Sequence, residues 1–330
     1  MATPDDPVRP HGARRFTGIA NLVRALRNLG LIRLGFEFEH LGCFPTDDGH
    51  GIPVKVMGQG RPVVLVHGLG CSHAHWTRVA RRLAQRHRTY MWDARGHGDC
   101  RLPATAAITL PRLARDLANL IDFFRLDEAV LVGHSMGALT VMQYLQDFGT
   151  ARVAAVGFVD QSPRIVTDDE WRLGLFGGCS AAMLTGLIHG ARRNLAETVL
   201  HEIEAAVGER LRGWLAADAA LGRALRNWLG RIEVAPLLEL CESLTTADFR
   251  PLLPRLDVPV LVVLGGKSAH YAGVPLDAYY RSTLPYSQVV VYPGAGHSPH
   301  YAEPARFARE LGSFISAVCV EPVGAPSLSE

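Results

Sequence analysis

The chain has 330 residues, 48% hydrophobic and 20% charged, with a formal net charge of +2. That balance is ordinary for a folded enzyme; it leaves no basic excess for nucleic acid, and no apolar run approaches the roughly 18 residues of a membrane-spanning helix. The six cysteines (Cys43, Cys71, Cys100, Cys179, Cys241 and Cys319) form no C-x-x-C pair and no His/Cys cluster. This argues against a zinc site and, with no apolar leader after Met1, for reduced thiols in a cytoplasm.

Residues 1–14 are rich in Pro, Arg and Asp and are expected to be disordered. Over 17–29 the apolar residues Ile19, Leu22, Val23, Leu26 and Leu29 recur with a helical period. Such a helix packs on the body of the protein or on its cap or, with Arg24 and Arg27, touches a membrane or a carrier-protein partner. Alternation at 36–39 and 52–56, with Thr46, Asp47, Asp48 and Gly49 between them, predicts an antiparallel pair. Strand and helix then alternate: strand 62–66, helix 74–85, strand 88–92, helix 111–124, strand 128–133, helix 135–147, strand 153–159. Short connections between them predict a mostly parallel sheet with helices on both faces.

The rhythm breaks at Gln161, and no strand is predicted before about residue 250. Thr167, Asp168, Asp169 and Glu170 form a capping box ahead of Trp171, and helical patterns run over 179–193, 194–207, 209–229 and 232–243. This predicts a helical cap of about 90 residues between core segments 15–160 and 251–318, with 319–330 as a tail. The core resumes with strand 258–264, helix-borne Asp277, strand 288–292 and a final helix from about Glu303.

The chemistry starts at Gly133, His134, Ser135, Met136 and Gly137, a G-x-S-x-G pattern after an apolar strand. The turn is too sharp for side chains at 133 and 137, and it holds the Ser135 hydroxyl at the start of a helix. A serine needs a base and an orienting acid. His297 lies in a glycine-rich loop after the last strand, between Gly296 and Ser298, and is the expected base. The acid is less plain. After strand 258–264 the chain reads Gly265, Gly266, Lys267, Ser268, Ala269, His270, Tyr271, with no carboxylate before Asp277. Asp257 precedes its strand, at the wrong end. Asp160, at the tip of strand 153–159, adjoins the nucleophile strand about 4.8 Å away and is the expected acid.

These residues resemble the α/β-hydrolase superfamily over 50–160 and 251–318. Val63 to Gly70 is similar to the strand and turn that carry its oxyanion hole. Asp93, Arg95, Gly96, His97 and Gly98 are similar to its D-x-R-G-H-G turn, whose role is structural and is expected to join Asp93 to Arg95. The usual acid position of that family is filled here by Ser268. An acid on the strand after the nucleophile strand has precedent among haloalkane dehalogenases, but those attack with an aspartate, and this chain has Ser135.

The resemblance implies an α/β-hydrolase fold and a serine hydrolase with no metal and no cofactor. The backbone N–H groups of Leu69 and Met136 would form the oxyanion hole, and Cys71, Trp171, Trp214 and Trp228 are candidate pocket residues. The implied substrate is a small-molecule or carrier-bound carboxylic ester, thioester or lactone with an apolar acyl group. An acyltransferase, cyclase or perhydrolase using the same triad stays open, as does a non-catalytic ligand-binding protein of the same layout. Oligomeric state is not legible.

Overall fold

The computed structural model describes residues 42–194 apart from 101, 104 and 105, then 197 and 235–318. The expected helix at 17–29, the strand at 36–39, the helical patterns at 194–207 and 209–229, and the tail lie outside these residues or almost wholly so.

Eight strands form one sheet: β1 (Gly42–Pro45), β2 (Gly51–Met57), β3 (Arg61–Val66), β4 (His87–Trp92), β5 (Ala129–His134), β6 (Val153–Val159), β7 (Val260–Gly265) and β8 (Ser287–Tyr292). Their order is β1-β2-β4-β3-β5-β6-β7-β8. β2 pairs antiparallel with both β1 and β4, and every other pair is parallel. The expected turn at 46–49 is present, but the strand feeding it is Gly42–Pro45.

Alternate residues of the parallel strands feed two cores. Val64, Val66 and Leu131 face one side, against helices α2 (Leu110–Phe123) and α3 (Met136–Phe148). Val63, Leu65, Val130 and Val132 face the other, against α1 (Thr77–Leu83) and α8 (Pro304–Val318). Burial on both faces is why these strands read as unbroken apolar runs.

Between β6 and β7 the described residues contain no strand. Helices α4 (Ala181–Arg193) and α5 (Ala235–Thr246) are joined by an ion pair of Arg192 with Glu242 at 2.8 Å. Ser243 of α5 accepts from the Leu110 N–H at 2.9 Å, which seats α5 on the start of α2. The expected capping box at 167–170 is not one. The Asp168 carboxylate instead accepts from the N–H groups of Glu170 and Trp171, making a tight turn followed only by a single 3-10 turn at Leu175–Gly177 before α4. The reason is local: a side chain that bonds its own backbone two residues on competes with the helix. After β7 come α6 (Leu276–Thr283) and, past β8, the short α7 (Pro299–Ala302).

A buried charge network ties the β1–β2 turn to this body. Arg95 is fully buried and forks onto Asp116 of α2 at 2.5 and 2.8 Å, and it reaches Asp48 at 2.7 Å. Arg112 extends the set to Asp47 and Asp116. The expected Asp93–Arg95 tie is not formed. Asp93 accepts from the His73 backbone at 2.6 Å, the His73 ring at 3.0 Å and the Asp99 N–H at 2.8 Å. The turn holds Asp93 beside the segment after β3 and sends Arg95 toward α2. Among the described residues no helix is long and apolar enough to cross a membrane.

Candidate active site

Ser135 stands between the last residue of β5 and the first of α3, with φ 54° and ψ −124°. A non-glycine residue held there costs about 1–3 kcal/mol, and close packing on both sides holds it. A Cβ on Gly133 would run into the Gly137 backbone, and one on Gly137 into the carbonyls of Val66 and His67. The glycines let helix and strand approach closely enough to make the turn.

The sheet ladder sets what lies beside it. His134 pairs with Val159 and Val159 with Val263. One step on, the Ser135 N–H donates to the Val159 carbonyl at 3.0 Å and the Asp160 N–H to the Val263 carbonyl at 2.8 Å. Ser135 and Asp160 are therefore adjacent strand tips at one rim. Asp160 also has a positive φ, 49°, and is fully buried.

His297 Nδ1 lies 2.6 Å from Asp160 Oδ2. The loop reaches that point because β7 ends in Gly265, where any Cβ would strike the Gly296 carbonyl. Asp160 accepts two further bonds, from the Gly265 N–H to Oδ1 at 2.7 Å and from the Ser268 hydroxyl to Oδ2 at 2.6 Å. Burial pushes the Asp160 carboxyl up to about 6, against the lowering effect of those two donors. Burial, with His75 secondarily, pushes His297 down. At neutral pH the pair is then a carboxylate facing a neutral imidazole whose Nδ1 carries the proton. Among the described residues no hydrogen bond joins the Ser135 hydroxyl to His297, and in unliganded enzymes this contact often tightens only with substrate bound.

Other histidines surround that ring. His134 Nε2 donates to the His297 carbonyl at 2.8 Å, so the residue preceding Ser135 is bonded to the His297 backbone. His75 and His300 share a bond at 3.3 Å behind it, and the His300 ring stacks on Trp76 with centroids 4.0 Å apart. His75, His134 and His300 are all driven well below the usual imidazole range by burial. Their ring nitrogens lie within 4.8 Å of one another. Three nitrogens on one tetrahedral zinc would be about 3.4 Å apart, and the His75–His300 edge is close to that length. On the open side, the His270 ring meets His297 with centroids 4.0 Å apart. The Phe176 ring stacks on His270 at 5.7 Å, and its N–H donates to the His270 carbonyl at 2.7 Å. Phe176 is 52% exposed and holds φ 57°.

The turn after β3 covers the other side of Ser135. A Cβ on Gly68 would stand 3.2 Å from Ser135 Cβ and 2.9 Å from His134 Nδ1. Leu69, the next residue, is 41% exposed. Met136 opens α3, so its N–H is one of the first four in a helix that have no intrahelical acceptor.

A profile of the alpha/beta hydrolase family matches residues 63–310. The chain belongs to the alpha/beta hydrolase family. The hydrolase is 29% identical over 281 residues to a pimeloyl-acyl-carrier protein methyl ester esterase of Aeromonas hydrophila, covering 80% of this chain and 99% of that one. To the enzyme of the same name from Chromobacterium violaceum it is 26% identical over 271 residues, covering 79% and 97%. Its fold is similar to that of an esterase from Exiguobacterium antarcticum, with a TM-score of 0.69, 21% identity, and coverage of 84% of this chain and 100% of that one.

The hydrolase brings Ser135, Asp160 and His297 to one rim, with Leu69 and Met136 beside the serine. It does not bring Cys71 and Trp171 to an open pocket. Cys71 is buried and its thiol is pushed up to about 12 by that burial. Trp171 is buried too. Its indole N–H donates to the Arg164 carbonyl at 2.9 Å and its ring meets Tyr279 and Arg250, so it pins the segment after β6 to α6. Trp214 and Trp228 lie outside the described residues. Sequence reasoning missed the roles of His134, His270 and Phe176, and the bond that Ser268 makes. Ser268 did carry a signal, because it stands where the acid was expected.

Proposed function

We propose that the protein is a serine ester hydrolase working through Ser135, His297 and Asp160. The observation that carries this reading is the 2.6 Å bond from His297 to Asp160 at the rim where Ser135 is held in strained backbone. His297 takes the Ser135 proton as Oγ attacks the ester carbonyl, and returns it to the departing alcohol. The carbonyl oxygen gains charge in front of the Leu69 and Met136 N–H groups, and one such donor is worth roughly 3–4 kcal/mol in the transition state. Water deprotonated by the same imidazole then releases the acid from the acyl-serine. Asp160 holds the imidazole in the tautomer with its proton on Nδ1.

The curated relatives act on a carboxylic methyl ester of a carrier-bound acyl chain, which supports an ester with an apolar acyl group on a small or carrier-borne partner. Residues 161–250 are read as a cap over the core segments 15–160 and 251–318, supported by the absence of strands among its described residues and by the seating of α5 on α2. Phe176 and Leu69, exposed and apolar beside His270 and Ser135, are read as the mouth that receives the acyl group. In the test, Ser135→Ala loses turnover of a chain-length panel of aryl esters and loses labelling by a fluorophosphonate. Undiminished turnover in that variant would refute the mechanism.

A further inference from the structure

Ser268 is fully buried in the loop after β7. A hydroxyl has one proton and two lone pairs. Here the His270 and Tyr271 N–H groups approach Oγ at 3.2 and 3.3 Å and occupy the lone pairs. The proton then has one destination, Asp160 Oδ2 at 2.6 Å, the same oxygen that meets His297 Nδ1.

The titratable groups facing Asp160 are His297 from the loop after β8, His270 and Tyr271 from the loop after β7, and Tyr280 from α6. None is a permanent cation. Two neutral donors, the Gly265 N–H and the Ser268 hydroxyl, offset the burial of this charge. Of the two, Ser268 alone shares the oxygen that orients the imidazole.

We propose that Ser268 is a positioning residue for the Ser135–His297–Asp160 triad: its hydroxyl keeps Asp160 ionised and turns Oδ2 toward His297, so that a strand-tip acid and a loop hydroxyl together do the work of one loop aspartate. The inference rests on the proposed triad and adds to it a division of the acid's work between two strands.

The test compares pH profiles of kcat/KM on an aryl ester. A hydrogen bond to a charged group is worth enough to move a carboxyl by about one to two pH units. Ser268→Ala should therefore raise the acid limb by that amount, and its activity relative to wild type should rise about tenfold between pH 6 and pH 8.5. Ser268→Thr, which keeps the hydroxyl, should leave the limb within a few tenths of a pH unit of the wild type. Asp160→Asn should be nearly inactive, and adding Ser268→Asp to it should restore at least tenfold, because the Ser268 hydroxyl lies 2.6 Å from the oxygen that meets the imidazole. A Ser268→Ala loss that is equal at every pH, or an unmoved limb, would overturn the inference while leaving the triad standing. Full activity of Asp160→Asn would instead remove the triad beneath it.

Discussion

Asp160 carries opposed demands. Its carboxyl is fully buried and titrates at about 6 in the fold, against an ordinary 3.8. The folded state thus holds the proton more tightly than the unfolded one. The associated stability is fully present below pH 3.8 and is lost as pH rises through about 6. Above that the ionised group costs about 3 kcal/mol. The proposed mechanism needs the ionised form that stability disfavours. Asp160→Asn should therefore lower kcat by about 10⁴-fold, as imidazole orientation is lost, while its melting temperature at pH 8 exceeds that of the wild type and the gap narrows toward pH 4. A fluorimetric melting series across that range reads the effect, and a lower melting point at pH 8 would mean that the three bonds to Asp160 outweigh its burial. The carboxylate partner of His297 was legible at this scale because Gly265 to Tyr271 contain no carboxylate. The Ser268 bond was not, since nothing in a lone serine says which oxygen it faces.

Among elements, the strands of the core were the most legible. Val153–Val159 has the predicted bounds, because a strand buried on both faces leaves an apolar run with polar ends. The described helices shifted by one to three residues, apart from 74–85, which splits at Trp76 into a single tight turn and α1. The stretch from Thr167 to Phe176 was misread because the Asp168 side chain takes backbone bonds that a helix would have used. That same stretch delivers Phe176 to the His270 ring in a left-handed conformation. Phe176→Gly relieves the strained φ and removes a ring already half in solvent, so thermal stability should hold or rise slightly. The ring's apolar surface is worth about 1.5 kcal/mol when a substrate covers it. The variant should then lose about tenfold in kcat/KM on long-chain aryl esters and little on acetates, which steady-state kinetics on the two ester classes would separate.

At the scale of the whole molecule, fold class and the converging rim could be read from motifs in order along the chain, whereas the way the imidazoles pack could not. His75, His134 and His300 come from three elements and hold together the segment after β3, the tip of β5 and the start of α7, all as neutral rings. An unfolded chain would protonate each of them near 6.5. Below that pH every ring released from packing captures a proton, and three such rings tilt the balance by up to about 4 kcal/mol per pH unit, more than the single Asp160 carboxyl returns. Unfolding free energy measured in urea should drop steeply between pH 6.5 and 5, and His75→Phe should flatten that slope by about one proton. The corner that braces Ser135 thus doubles as an acid fuse: mild acidification would take the enzyme apart at the rim of its proposed site.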